Sequence, residues 1–108
     1  MAKGLGGMGN LLKQAQEMQS RLAQVQEELA RKTVEASAGG GMVRVTLNGQ
    51  FVCSSVKVDP AVVNPQETEM LEDLILAAFN EGVRRAREMA SEEMSKITGG
   101  LKIPGLMP

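Results

Sequence analysis

Met8, Leu11, Ala15, Met18, Leu22, Val25 and Leu29 recur at alternating spacings of three and four residues, an unbroken a/d seam over three heptads. Only a long α-helix gathers such a pattern onto one face. Residues 8–32 suit one: there is no proline, no glycine after Gly9, and an abundance of Gln, Glu, Leu, Ala and Arg. At 1.5 Å per residue this helix spans roughly 37 Å. A compact domain of about 100 residues is only roughly 35 Å across, so the helix is expected to project. A helix lying on its own domain needs a wider apolar stripe than a and d alone. The seam is therefore expected to meet another helix along its length, within the chain or from a second copy. Residues 1–7, with Gly4, Gly6 and Gly7, read as a flexible lead-in. No Gly-Lys-Ser/Thr ending follows these glycines, so they are not a phosphate loop.

The middle, residues 33–58, alternates in the manner of strands. Thr33–Ala38, Met42–Asn48 and Gln50–Val58 are separated by Gly39-Gly40-Gly41 and by the hairpin dipeptide Asn48-Gly49. A two-residue turn at Asn48-Gly49 sets Leu47 opposite Gln50, Val45 opposite Val52 and Arg44 opposite Cys53. A tight turn at Gly39-Gly40 sets Ala36 opposite Val43 and Glu35 opposite Arg44. One face then carries Val34, Ala36, Val43, Val45, Leu47, Val52, Val56 and Val58. The other carries Glu35, Arg44, Thr46, Phe51, Cys53, Ser55 and Lys57. Such a one-sided antiparallel meander needs a helix to cover it.

Asp59-Pro60 ends the third strand. Asn64-Pro65-Gln66-Glu67 reads as a helix start, with Asn as N-cap, Pro at the first position and Glu at the third. That helix is expected over 65–98, roughly 50 Å long, with Gly99 as its C-terminal glycine and 99–108 as a disordered tail. Met70 to Val83 is apolar nearly all round, whereas Arg84 to Lys96 is mostly charged. Ala78, Gly82, Ala86 and Ala90 repeat at every fourth position and admit a close neighbour. Gly82 costs a helix roughly 1 kcal/mol relative to Ala, which tight packing would explain. The fold class is thus α+β: a long N-terminal helix, a three-stranded antiparallel meander and a long C-terminal helix in one domain of 108 residues.

Composition excludes most catalysis. The chain has no His, no Trp, no Tyr, one Cys and two Phe. There is thus no imidazole base or ligand, no disulfide or cysteine-rich metal site and no aromatic platform for single-stranded nucleic acid. Glu67, Glu69, Glu72 and Asp73 suit a solvated helix start favoured by the macrodipole. Cys53 reads as a small half-buried residue. No catalytic residue, metal, cofactor or small-molecule substrate is expected. The longest apolar run, Leu74 to Phe79, is six residues, too short for a membrane span.

Net charge is −1, which by itself points away from DNA, but the charge is segregated. Residues 1–58 carry seven basic and four acidic side chains, residues 59–83 six acidic and none basic, and residues 84–108 five basic and three acidic. Many basic residues stand three or four from an acidic one: Lys13 and Arg21 from Glu17, Arg31 from Glu27, Lys32 from Glu28, Arg84 and Arg85 from Glu81, Lys96 from Glu92. Such pairs contribute only about 0.2–0.5 kcal/mol each, too little to keep a guanidinium from a phosphate.

Gly9-Asn10-Leu11-Leu12-Lys13-Gln14-Ala15-Gln16, Val43-Arg44-Val45-Thr46-Leu47-Asn48-Gly49, Val56-Lys57-Val58-Asp59-Pro60 and Glu69-Met70-Leu71-Glu72-Asp73-Leu74-Ile75-Leu76-Ala77-Ala78-Phe79-Asn80 resemble the YbaB/EbfC family of bacterial nucleoid-associated proteins, in order and over nearly the whole chain. The resemblance implies a cytoplasmic homodimer shaped like tweezers, with helices projecting from a sheet-containing body. It also implies binding to double-stranded DNA in the nucleoid with low or variable sequence preference, in chromosome organisation or gene regulation. Lys13, in the first block, and Arg84 and Arg85, just beyond the last, carry over as DNA contacts. Arg21, Arg87 and Lys96 join them from charge and helical placement, while Arg44 and Lys57 are assigned to the sheet. Nothing resembles a recognition helix. A protein-interaction adaptor using the heptad seam and the acidic stretch 59–83 is the alternative reading.

Overall fold

The computed structural model describes residues 2–98, with side chains from 8 to 97. The predicted disordered tail 99–108 and the Gly99 cap lie outside them. Helix α1 spans Ala2–Arg31, strands β1, β2 and β3 span Thr33–Ala38, Val43–Asn48 and Cys53–Val58, and helix α2 spans Thr68–Thr98. The sheet is antiparallel in the order β1-β2-β3. Two 3-10 turns, Pro60–Val62 and Pro65–Glu67, join β3 to α2. The molecule measures 79 × 27 × 16 Å with a radius of gyration of 21.2 Å, well beyond the roughly 13 Å of a compact chain this long.

Helix α1 starts at Ala2, so the glycine-rich stretch read as a flexible lead-in is helical from residue 2. Extending an existing helix needs no new nucleus, and without proline each glycine costs only about 1 kcal/mol. At the other helix, Asn64 Oδ1 accepts from Gln66 N at 3.0 Å, the predicted N-cap. The turn it caps is 3-10, and regular α-geometry begins at Thr68.

Both hairpin registers differ from the tight-turn expectation. Gly39, Gly40 and Gly41 all take positive φ (64°, 66° and 95°), and the loop runs through Met42, so Ala38 pairs with Val43 and Ala36 with Val45. Because the slip is two residues, the predicted faces of β1 and β2 survive. In the second hairpin Asn48 N donates to Val52 O (3.0 Å) and Phe51 N to Asn48 O (3.1 Å), which closes a three-residue loop. Phe51 holds its left-handed position at φ 65°. Val45 then faces Val56 and Arg44 faces Lys57, and the register shifts between Thr46 and Leu47, which pair with Ser55 and Cys53. That irregularity turns Cys53 to the inner face, opposite Leu47, where it packs against the core rather than pointing outward.

The core joins Ala36, Val43, Val45 and Leu47 of the sheet to Val62 and Ala78. Helix α2 lies across β1 and β2. Its small-residue row makes this approach possible: a Cβ on Gly82 would stand 2.7 Å from Leu47 Cδ1 and 3.1 Å from Val45 Cγ2. Beyond the sheet, α2 continues against α1, where Ala90 and Ile97 pack with Val25, Leu29, Leu22 and Met18.

Candidate nucleic-acid interface

Orphan carbonyls at the end of a helix need donors, and the β2–β3 hairpin supplies them to α1. Gly49 N donates to Leu29 O at 2.7 Å, Asn48 Nδ2 to Ala30 O at 3.1 Å and Gln50 Nε2 to Gln26 O at 3.3 Å. Asn48 holds the loop in shape, since its Oδ1 accepts from both Gln50 N (2.9 Å) and Val52 N (3.0 Å). Gly49 is required here for close approach rather than for positive φ: an added Cβ would lie 2.8 Å from Leu29 Cβ and 3.0 Å from Leu29 Cα. The sheet thereby anchors the C-terminal end of α1, and the rest of the helix projects.

The seam changes character along this helix. Val25 and Leu29 are buried, Met18 and Leu22 are half-buried, and Ala15, Leu11 and Met8 are exposed. Among the described residues, the expectation of a helix partner along the whole seam is met within the chain only by its C-terminal half, where Ile97 is the last residue of α2 in that cluster.

A carboxylate locks the two helices together. Glu93 is 4% exposed and accepts from Lys32 Nζ across the helix pair and from Lys96 Nζ at 3.2 Å. The ammonium of Lys32 first, then that of Lys96, holds the Glu93 carboxyl down at about 2 against an ordinary 4.5, despite opposing desolvation. The same contact raises Lys32. Sequence spacing pointed instead to Glu28 for Lys32 and Glu92 for Lys96. The missed signal was the position of Glu93 on the packing row of α2, three residues after Ala90 and four before Ile97.

The six predicted contact residues fall into two groups. Arg84 pairs with Glu81 and, at 2.5 Å, with Glu88. Arg85 Nε pairs with Glu81 at 3.1 Å while its Nη1 donates to Glu35 O of β1 at 2.8 Å. The two guanidiniums, Arg84 foremost, hold Glu81 at about 2, and Glu81 in turn raises Arg84. These arginines line one recess with Val34, Glu35, Glu88, Met89 and Glu92. Lys96 is paired with Glu93. By contrast Lys13, Arg21 and Arg87 are exposed and make no ion pair among the described residues. The expected partnership of Glu17 with Lys13 and Arg21 is not formed, although all three line one recess on α1 with Gln16, Ser20 and Gln24. In the heptad register Lys13 stands at f, opposite the seam, and Arg21 at g, on its flank. Arg44 reaches Glu35 diagonally at 3.8 Å, not directly across the ladder.

No helix of the described residues is long and apolar enough to cross a membrane. The sequence profile of the YbaB/EbfC DNA-binding family matches residues 4–101. Among similar proteins are a nucleoid-associated protein of Syntrophobacter fumaroxidans, 59% identical over 97 residues that cover 90% of this chain and 88% of that protein, and one of Moorella thermoacetica, 53% identical over 102 residues covering 94% and 98%. The family is described as DNA-binding and these relatives are named nucleoid-associated proteins, which are not names of enzymes. The fold is also that of the uncharacterized protein HP0035 from Helicobacter pylori, whose crystal structure superposes with a TM-score of 0.71 at 22% identity, over 84% of this chain and 92% of that one.

Proposed function

Because this chain belongs to the YbaB/EbfC DNA-binding family, we propose that it works as a homodimer that holds duplex DNA mainly through phosphate contacts from its projecting helices. It does so with low or variable sequence preference, in chromosome organisation or gene regulation at the cytoplasmic nucleoid. The observation that carries this reading is the pair Lys13 and Arg21, exposed, without ion pairs among the described residues, and sharing one recess on the arm of a 79 Å molecule. A free cation on a projecting helix can neutralise a phosphate and release its counterion without first surrendering a carboxylate. Arg87, exposed and without an ion pair among the described residues, is a further such group. Arg84, Arg85 and Lys96 are secondary contacts that must exchange a carboxylate partner for DNA.

Dimerisation is supported by apolar surface that one copy leaves uncovered. Helix α2 lies over β1 and β2, leaving Val52 and Val56 at 56% and 46% exposure and Leu76 of α2 at 60%. A second copy would bury this surface and double the number of arms.

The test is fluorescence anisotropy with several unrelated duplexes across a salt series. Affinity should fall with salt at a slope of about −0.9 per phosphate neutralised. Lys13→Gln, Arg21→Gln and Arg87→Gln should each shallow that slope by about 1 on every duplex. Binding that ignores salt would refute the phosphate reading. Should Arg84→Glu with Arg85→Glu leave DNA binding intact while a protein partner is lost, the adaptor reading would replace it. A stable monomer in sedimentation would refute the dimer.

A further inference from the structure

Helix α1 outruns its neighbour. Glu93 of α2 meets Lys32, whereas Ile97, four residues later, packs with Val25 and Leu29. The two helices therefore run antiparallel, and α2 advances toward the N-terminus of α1. The last described turn of α2 ends beside Leu22 and Met18. From there the seam continues bare: Ala15, Leu11 and Met8 are exposed, the last two at 67% and 62%, and Leu12 beside them is 65% exposed. Large apolar side chains so grouped on one face mark a docking surface.

The chain that follows Thr98 carries four large apolar residues in ten: Leu101, Ile103, Leu106 and Met107. We propose that residues 99–108 dock in cis along the free half of the α1 seam, with these side chains against Met18, Ala15, Leu11, Leu12 and Met8. Reach permits it. From Met18 to Met8 is about 15 Å of helix, while ten residues in extended form span up to about 33 Å. Direction permits it too, since α2 runs antiparallel to α1, toward the bare segment. Linkage to α2 gives the segment an effective concentration on the order of millimolar, which a second copy would have to exceed. The flanks of the bare seam favour this occupant over another helix. Leu12, Gln14 and Gln19 hold its e and g positions between Met8 and Gln19, all uncharged, so no ion pairs are available to set the register of a helical partner there. Lys13, on the far side of α1, is left free, and Arg21 lies on the flank of the seam beyond the bare segment.

The experiment is hydrogen exchange with mass spectrometry on the full chain and on the full-length variant Leu101→Asp with Ile103→Asp, each at two protein concentrations. If the segment covers the seam, amides of residues 8–18 exchange about tenfold faster in the variant at both concentrations, while the β1–β3 amides, as folding control, keep their rates. Equal exchange of residues 8–18 in the two proteins overturns the proposal. Protection that rises with concentration and survives the substitutions overturns it as well, and assigns the seam to a second copy. A second measurement reads contact directly: in a Cys53→Ser background, Leu11→Cys with Ile103→Cys should form a disulfide within one chain on mild oxidation. Only interchain dimers, or no crosslink, would count against the proposal.

Discussion

Gly49 donates its N–H to Leu29 O at 2.7 Å and sits so close to α1 that a Cβ would lie 2.5 Å from Leu29 Cδ2, 2.8 Å from Leu29 Cβ and 3.0 Å from Leu29 Cα. A leucine tip can rotate away, but a helix Cα cannot. Gly49→Ala must therefore push the end of α1 off the hairpin. Overpacking of a tight interior site costs about 1–3 kcal/mol, and a weakened hydrogen bond adds about 0.5–1.5 kcal/mol. Reduced freedom of the unfolded chain returns about 0.4–1 kcal/mol. The net expectation is a loss of about 2 kcal/mol, or roughly 8–15 °C in Tm for a domain of this size. Thermal unfolding followed by circular dichroism, at one fixed protein concentration because association shifts apparent stability, measures it. Gly9→Ala is the internal comparison. It lies in α1 with nothing within 4 Å of the added methyl, so it should stabilise by up to about 1 kcal/mol. If Gly49→Ala lies within about 0.5 kcal/mol of the parent, or the two substitutions share a sign, the hairpin does not anchor α1 as described.

Gly82→Ala sets a helix-propensity gain of about 1 kcal/mol against a methyl 2.7 Å from the buried Leu47 Cδ1. Overpacking should prevail by about 1 kcal/mol and lower the urea midpoint without changing the m-value. Glu93 and Glu81 each have a folded pKa of about 2 against an ordinary 4.5. The unfolded chain therefore binds more protons between these values, so stability is fully present above pH 5 and falls as pH drops toward 2. Glu93→Gln should lower Tm at neutral pH and flatten this acid dependence in a pH series. Asn48→Ala removes two accepted bonds within the loop and one donated to Ala30 O, and should cost about 2 kcal/mol in chemical denaturation. In DNA titrations, Arg84→Gln should change the salt slope less than Lys13→Gln, because Arg84 begins paired to Glu81 and Glu88.

The order of elements was legible in the sequence because it rests on local signals. The heptad seam, the glycine punctuation and the Asn64-Pro65 start each act through nearby residues. Charge segregation was equally legible, and so was the constraint that Gly82 must sit against something, which proved to be Leu47 and Val45. The paired and unpaired cations were not. Glu17 stands at the right spacing from Lys13 and Arg21 yet pairs with neither. Glu93, on a buried face, gathers Lys32 from 61 residues away.

Sequence by itself determined that two long helices flank a one-sided meander and that both are too long for a compact body, since helix length and strand face follow from period alone. Tertiary structure decided the hairpin registers, where Asn48-Gly49 serves α1 rather than a two-residue turn. It also decided which half of the seam is buried, because that depends on where α2 ends beside α1. Finally, it decided which cations stand free for a phosphate, since an ion pair is chosen by three-dimensional proximity and burial, and spacing along one helix only nominates the candidates.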